Sequence, residues 1–378
     1  MLVKFMEVEM AVLRLCRTFP RKTIPGIGLQ PFYCSELSKF DSIVFTKWMN
    51  EEPIKKTEYD LIQVGYSDYR FKSLNTNFFA AITKVWGEIR MLMAVSWFLL
   101  ARRPKVEVIH CHSIHYAITA VLLGRCLRVP VVLSIGGTDV RRAANIHGYK
   151  YILRQFACVV HVASSHERLI DCLMPGVKRL HVANGLDGNI FFDKHKKRKK
   201  QLLCVGNVRW QKGYDDLMEA ANLIFSDYPD YKLLIVGKYD VEACDALKSK
   251  ISPIFRSKVH FLGVLDQKRI NTMMNESRVF LLPSVSEGLP KVILECQAAG
   301  LPVVTTDVGD CAEISNGAGL VVPPGQPQKF AAAVVRLIQD KKLYQRCKEG
   351  CYKNSKNYSW DDLVRKIDEA YSELLGYD

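Results

Sequence analysis

Short apolar runs rich in Val, Ile and Leu alternate with longer stretches of helical periodicity along the whole chain. Runs of this length suit strands buried on both faces, and their alternation with helices is the pattern of βαβ units around parallel sheets. Residues 11–16, 60–64, 106–110, 130–134 and 158–163 form a first series of predicted strands. Residues 201–206, 231–237, 259–263, 279–283 and 302–306 form a second. Two doubly wound parallel-sheet α/β domains are therefore expected. Residues 187–200 are polar, basic and without apolar periodicity, which marks a linker and places the domain boundary near residue 195. The expected division is a first domain over 1–194, a second over 195–358 and a terminal amphipathic helix over 359–378. In that helix Trp360, Leu363, Ile367, Tyr371 and Leu374 recur at helical spacing behind Ser359 as N-cap.

Composition agrees with this division, since 378 residues exceed what one core usually organises. The net charge of +14 is uneven along the chain: residues 1–200 hold 31 Lys and Arg against 16 Asp and Glu, and the remainder 22 against 23. A basic half suits an anionic partner, and a membrane surface is the expected one. The alternative is a solvated basic face. Nucleic acid is disfavoured, because the basic run at 194–200 comes with no aromatic-interleaved strand or recognition motif. Twelve scattered cysteines read as reduced, mostly buried thiols, and with no signal-peptide pattern at the start they suggest a cytoplasmic protein. The longest apolar run, 91–101, is bounded by Arg90, Arg102 and Arg103 and is too short to cross a bilayer. It predicts a helix packed on a sheet, with an element lying in the membrane interface as the alternative.

Open parallel sheets bind ligands beyond the carboxyl ends of their strands, so the chemistry is sought in those loops. After the first strand, Gly26 and Gly28 follow Arg21 and Lys22, which allows a backbone to approach a phosphate; a plain turn is the alternative. The third glycine of a dinucleotide fingerprint is missing. After the first strand of the second series, Arg209 and Lys212 bracket a strand-to-helix turn ending in Gly213 and can neutralise a diphosphate, yet no Walker lysine motif is present. The third loop is the most informative. Glu287, Gly288, Leu289, Pro290 and Lys291 lead from a strand into a helix that carries Glu295. Eight steps along the chain separate the two glutamates, at most ~12 Å along a helix axis. That matches a nucleotide sugar laid across a helix N-terminus, with backbone N–H groups of Leu289 to Lys291 facing the diphosphate and a carboxylate on either side. His110 and His112 alternate at a strand end and read as ordinary strand-end residues, with lining of the cleft as the alternative, since nothing nearby completes a metal site.

With these residues the chain resembles glycosyltransferase family 4. Glu287 to Glu295, written E-G-L-P-K-V-I-L-E, matches the family's E-x7-E element and is followed by C-Q-A-A-G-L-P-V-V. Lys212-Gly213 and Asn184-Gly185-Leu186-Asp187 are further matches, and the likeness is dense over about 106–340. The resemblance implies a GT-B fold, two Rossmann-like domains facing a cleft, with the terminal helix crossing back to the first. It implies a retaining, metal-independent transfer from a nucleotide-sugar donor to a glycan or lipid-linked acceptor, with no cofactor. Glu295 would hold the donor ribose and Glu287 the transferred sugar, while Arg209 and Lys212 meet the leaving diphosphate and the Gly26 to Gly28 loop closes over it. Two positions depart from the family. Asn207 stands where many relatives carry an arginine, and Gly136 where many carry an acceptor-side histidine, leaving Asp139 as the nearby polar candidate, with a helix N-cap as the alternative. These departures motivate a rival, a non-catalytic sugar-nucleotide or glycan-binding protein on the same shell.

Overall fold

The structure is a computed structural model that describes residues 11–17, 29–47, 59–64, 77–146 and 148–377. The chain divides into two compact units, 1–183 together with 360–378, and 184–359.

In the first unit the elements run β1 (Ala11–Cys16), α1 (Leu29–Leu37), β2 (Asp41–Lys47), β3 (Asp60–Val64), α2 (Asn77–Arg102), β4 (Val106–Cys111), α3 (Ala117–Leu127), β5 (Val131–Ile135), α4 (Gly137–Ala144), α5 (Tyr149–Leu153), β6 (Cys158–His161), α6 (Glu167–Leu173) and β7 (Lys178–His181). All strand pairs are parallel, in the order β3-β2-β1-β4-β5-β6-β7. Because successive side chains point to opposite faces, Leu13 and Leu15 of β1 join one core layer with Met91 and Val95 of α2. Val12 and Cys16 join the layer on the other face, which a helix from the far end of the chain completes.

The second unit contains β8 (Gln201–Val205), α7 (Tyr214–Asp227), β9 (Lys232–Val236), α8 (Val241–Ser249), β10 (Val259–Phe261), α9 (Gln267–Glu276), β11 (Val279–Leu282), α10 (Lys291–Ala298), β12 (Val303–Thr306), α11 (Cys311–Ser315), β13 (Gly319–Val322), α12 (Pro327–Gln339) and α13 (Lys341–Ser355). Its parallel sheet is ordered β10-β9-β8-β11-β12-β13. The last helix, α14 (Trp360–Leu375), returns to the first unit, where Trp360, Leu363, Val364, Ile367 and Tyr371 fill the second core layer. Trp360 stacks on Tyr33 at 4.7 Å, and Tyr371 receives a 2.9 Å hydrogen bond from the fully buried Arg14.

All ten predicted strands are present, and the structure adds β2, β7 and β13. β7, Lys-Arg-Leu-His, lies at the sheet edge and has no apolar run to announce it. Residues 184–194, grouped with the first domain from their sequence, are part of the second unit. The Lys194 amide donates to Asn275 of α9, and Asp193 accepts from the Tyr352 hydroxyl and pairs with Lys348 at 3.4 Å, both in α13. The basic run 194–200 is not a loose linker or a free electropositive face. Lys196 and Lys199 both pair with Glu276, and Lys200 with Asp230. Arg198 reaches the carbonyls of Met274 and Ser277 at the end of α9 and those of Ala299 and Gly300, at 2.6 and 2.9 Å, at the end of α10. Helix carboxyl ends carry unpaired carbonyls and partial negative charge, so one guanidinium closes two helices. All twelve cysteines are free, and ten are buried.

Candidate active site

Each sheet has one point where the strand order reverses, between β1 and β4 in the first unit and between β8 and β11 in the second. Loops leaving neighbouring strands at such a point diverge to opposite faces and leave a crevice at the carboxyl edge. In the second unit those two loops are 206–213 and 283–290, the segments that carry the predicted residues.

Backbone contact joins them. The carbonyl of Gln211 accepts from the amides of Val285, 2.7 Å, and Ser286, 3.3 Å. Gly213 adopts φ +64°, and a Cβ there would stand 1.9 Å from the Pro283 carbonyl oxygen, so this close approach requires glycine. Gly309, at φ +56°, similarly lies against the carbonyls of Glu287 and Gly288, and the latter accepts from Asp310 at 2.9 Å. The 283–290 loop is thus held from both sides.

The consequence is that Lys212 and Glu287, 75 residues apart, form a 2.6 Å ion pair. Glu287 also accepts from the Ser284 hydroxyl at 2.7 Å. The side chains are 25% and 12% exposed, so the pair is sheltered but reachable from solvent. Arg209, at the entry of the 210–212 turn, is exposed, and its side chain has no ion pair or hydrogen bond among the described residues. Asn207 accepts from the Lys238 amide at 2.9 Å. It therefore ties two loops together, and Arg209 is the cation this turn presents.

Helix α10 begins one residue after Pro290, which occupies the N-cap position and offers no side-chain cap. The first amides, those of Lys291 and Val292, have no acceptor among the described residues. Leu289 is buried and its carbonyl meets Asn184 at 3.5 Å. Glu295, the fifth residue of α10, lies one turn beyond Lys291. Burial pushes its carboxyl up to about 7, with Lys291 partly opposing, and burial draws the Lys291 ammonium down. Neither side chain has a hydrogen bond or an ion pair within 4.0 Å among the described residues. A free helix N-terminus with a desolvated carboxylate and ammonium beside it is a site short of its polar partner.

In the first unit, Gly26 and Gly28 lie outside the described residues. Gly136 is the N-cap of α4, with open space where a side chain would stand. Asp139 does not cap its own helix. It accepts from the Ser113 hydroxyl at 3.2 Å and from the Ile114 amide, so it braces the loop after β4, and burial raises its pKa against those bonds. His110 and His112 share one strand face and stack at 3.8 Å. His110 is spent on structure, bonded to Ser134 at 2.7 Å and to the Tyr371 hydroxyl of α14. Both nitrogens of His112 are buried and lack partners among the described residues, and burial lowers its pKa well below the ordinary value.

Residues 199–340 match the family described as glycosyl transferases group 1. An uncharacterized glycosyltransferase of Methanocaldococcus jannaschii is 28% identical over 307 residues, 72% of this chain and 77% of that protein. An Escherichia coli UDP-Gal:alpha-D-GlcNAc-diphosphoundecaprenol alpha-1,3-galactosyltransferase is 26% identical over 337 residues, 82% and 86% of the two chains. Sucrose-phosphate synthase from Thermosynechococcus elongatus superposes with a TM-score of 0.78, covering 97% of this chain and 100% of that one, at 15% identity. The fold is GT-B. The sequence relatives support a glycosyltransferase within that superfamily.

Proposed function

We propose that the protein is a retaining, metal-independent glycosyltransferase of family 4 that moves a sugar from a nucleotide-diphosphate donor to a hydroxyl of a glycan or lipid-linked acceptor in cell-envelope or surface-polysaccharide synthesis. The observation that carries this reading is the 2.6 Å Lys212–Glu287 pair held beside the free N-terminus of α10, with Glu295 one turn further on. Leu289, Pro290 and Lys291 frame the amides that receive the diphosphate, and Gly288 keeps the approach open. Lys212 and Arg209 neutralise the departing charge, which is the task a divalent ion performs in other transferases. Glu287 grips the transferred sugar and Glu295 the ribose.

In the transfer, the bond from the anomeric carbon to the β-phosphate oxygen breaks, and the acceptor oxygen bonds to that carbon on the same face. The acceptor's proton passes to the leaving phosphate oxygen, so no protein base is consumed. The protein orients reactants and stabilises charge, which is why Gly136 in place of a histidine is tolerable. Asp139 acts as a positioning residue on the acceptor side through the loop after β4. The E. coli relative named for a diphosphoundecaprenol acceptor supports a lipid-linked one here, with the protein working peripherally at the cytoplasmic face of an anionic membrane.

The test is a panel of nucleotide sugars offered with undecaprenyl-diphosphate-sugar and free glycan acceptors, the product anomer being read by proton NMR with and without EDTA. An axial donor giving an axial product, unaffected by chelation, is expected. An inverted product would refute the mechanism. Nucleotide binding without turnover on any acceptor would favour the non-catalytic binder.

A further inference from the structure

Helix α2 is apolar on two opposite faces. Met91 and Val95 are fully buried against the sheet. On the other side Trp86, Ile89, Met93, Trp97 and Leu100 follow at spacings of three, four, four and three, the repeat of a single helical stripe. They are 56%, 40%, 55%, 72% and 77% exposed. The stripe is ~20 Å long at the rise of an α-helix. Neighbouring α3 extends the surface with exposed Ile118 and Leu122. A solvated helix face is normally polar, and an apolar patch this size marks an interaction surface.

The charges around the patch identify what it meets. Arg102, Arg103, Arg125 and Arg128 are exposed on or just beyond these two helices. The only carboxylate in either helix, Glu88, is turned inward, accepting from the Thr119 amide at 3.1 Å and from its hydroxyl at 2.5 Å. A second copy seated on this face would bring arginine against arginine with no outward acid of these two helices to pair with. An anionic lipid surface supplies the missing charge. Trp86 and Trp97 fit the same environment, since an indole prefers the boundary between headgroups and acyl chains.

We infer that the outward face of α2 and α3 is the membrane-docking surface, with α2 lying in the plane of an anionic bilayer, its tryptophans at the acyl boundary and the arginines on lipid phosphates. This deepens the lipid-linked acceptor reading and rests on it. No helix among the described residues is long and apolar enough to cross a membrane.

The test compares the wild-type protein with Trp86→Ser/Trp97→Ser/Leu100→Ser and with Arg102→Gln/Arg103→Gln/Arg125→Gln/Arg128→Gln in co-sedimentation with phosphatidylcholine vesicles with and without phosphatidylglycerol. These side chains are already solvated, so both variants should keep wild-type circular dichroism. Wild type should prefer the anionic vesicles, and each variant should bind them at least ~10-fold more weakly. Trp97, kept as the sole tryptophan of α2, should be quenched by brominated acyl chains. Transfer to a water-soluble acceptor should be unchanged in both variants. Vesicle binding equal in all three proteins, or a wild-type dimer that the triple serine variant dissolves without vesicle binding, would overturn the docking surface. Failure of transfer on every acceptor with vesicle binding intact would count against the functional reading alone.

Discussion

Replacing Lys212 by alanine isolates the pair on which the proposed donor site is built. The ammonium stands 2.6 Å from Glu287, and without it that carboxylate, 12% exposed, keeps only the Ser284 hydroxyl. A hydrogen bond to a charged group contributes ~1.5–3 kcal/mol when fully desolvated. Because a quarter of the lysine remains in solvent, the stability loss should be nearer about 1 kcal/mol, a melting-temperature change of a few degrees at most. The kinetic loss should be larger, since in the proposed mechanism the ammonium faces the charge that develops on the leaving diphosphate. Removing one such donor typically costs ~10²–10³ in turnover, about 2.7–4 kcal/mol. Single-turnover transfer measures the loss, with nucleotide binding followed separately to split affinity from rate. In a cycle with Glu287→Gln the two losses should fail to add by ~0.5–3 kcal/mol, because each residue holds the other. A folded Lys212→Ala protein with near-normal turnover, or strictly additive losses, would refute the reasoning.

Three further outcomes follow from the same structure. Gly213→Ala places a Cβ 1.9 Å from the Pro283 carbonyl at a left-handed φ, and should cost about 2–4 kcal/mol in urea denaturation; an unchanged midpoint would show that the two loops are not joined there. Glu295 has its carboxyl raised from 4.5 to about 7, so its ionised form, the one proposed to accept from ribose hydroxyls, is lost as pH falls through 7. Nucleotide affinity should weaken over that range in wild type and stay flat in Glu295→Gln. The same shift makes ionised Glu295 a destabilising group above its ordinary pKa, so Glu295→Gln should gain stability relative to wild type between pH 5 and 8, and a parallel pair of profiles would contradict this. Arg198→Gln uncovers carbonyls at the ends of α9 and α10 and should lose about 2–3 kcal/mol by thermal denaturation, with Arg198→Lys recovering only part because one ammonium cannot span both helices; full recovery would argue against the fork geometry.

Much of the candidate site was legible along the chain, because its parts are local. A strand ending at Leu282, a loop, a proline and a helix bearing Glu295 fall within one short segment, and strand, turn and helix signals act over such distances. The same holds for the turn from β8 through Gly213. The meeting of the two segments was not legible, since residues 75 positions apart are brought together only by the adjacency of β8 and β11. From sequence His112 reads as an ordinary strand-end residue, because the orphaned state of its ring nitrogens depends on what surrounds them, and strand alternation is silent on that.

Charge shows the division most clearly. The sequence by itself determined a basic chain of two parallel-sheet domains and an acidic pair spaced for a helix N-terminus. Counted along the chain, the positive excess belongs to its first half. Counted by compact unit, 27 Lys and Arg face 20 Asp and Glu in the first and 26 face 19 in the second, so each carries +7. The tertiary structure moved the basic run into the second unit, spent it on Glu276, Asp230 and two helix ends, and sent the acidic terminal helix back to the first. It also decided that α2 buries one apolar face and leaves the other bare. Periodicity reports which residues share a face, but whether that face is covered, or a charge paired, depends on chain segments that folding alone makes neighbours.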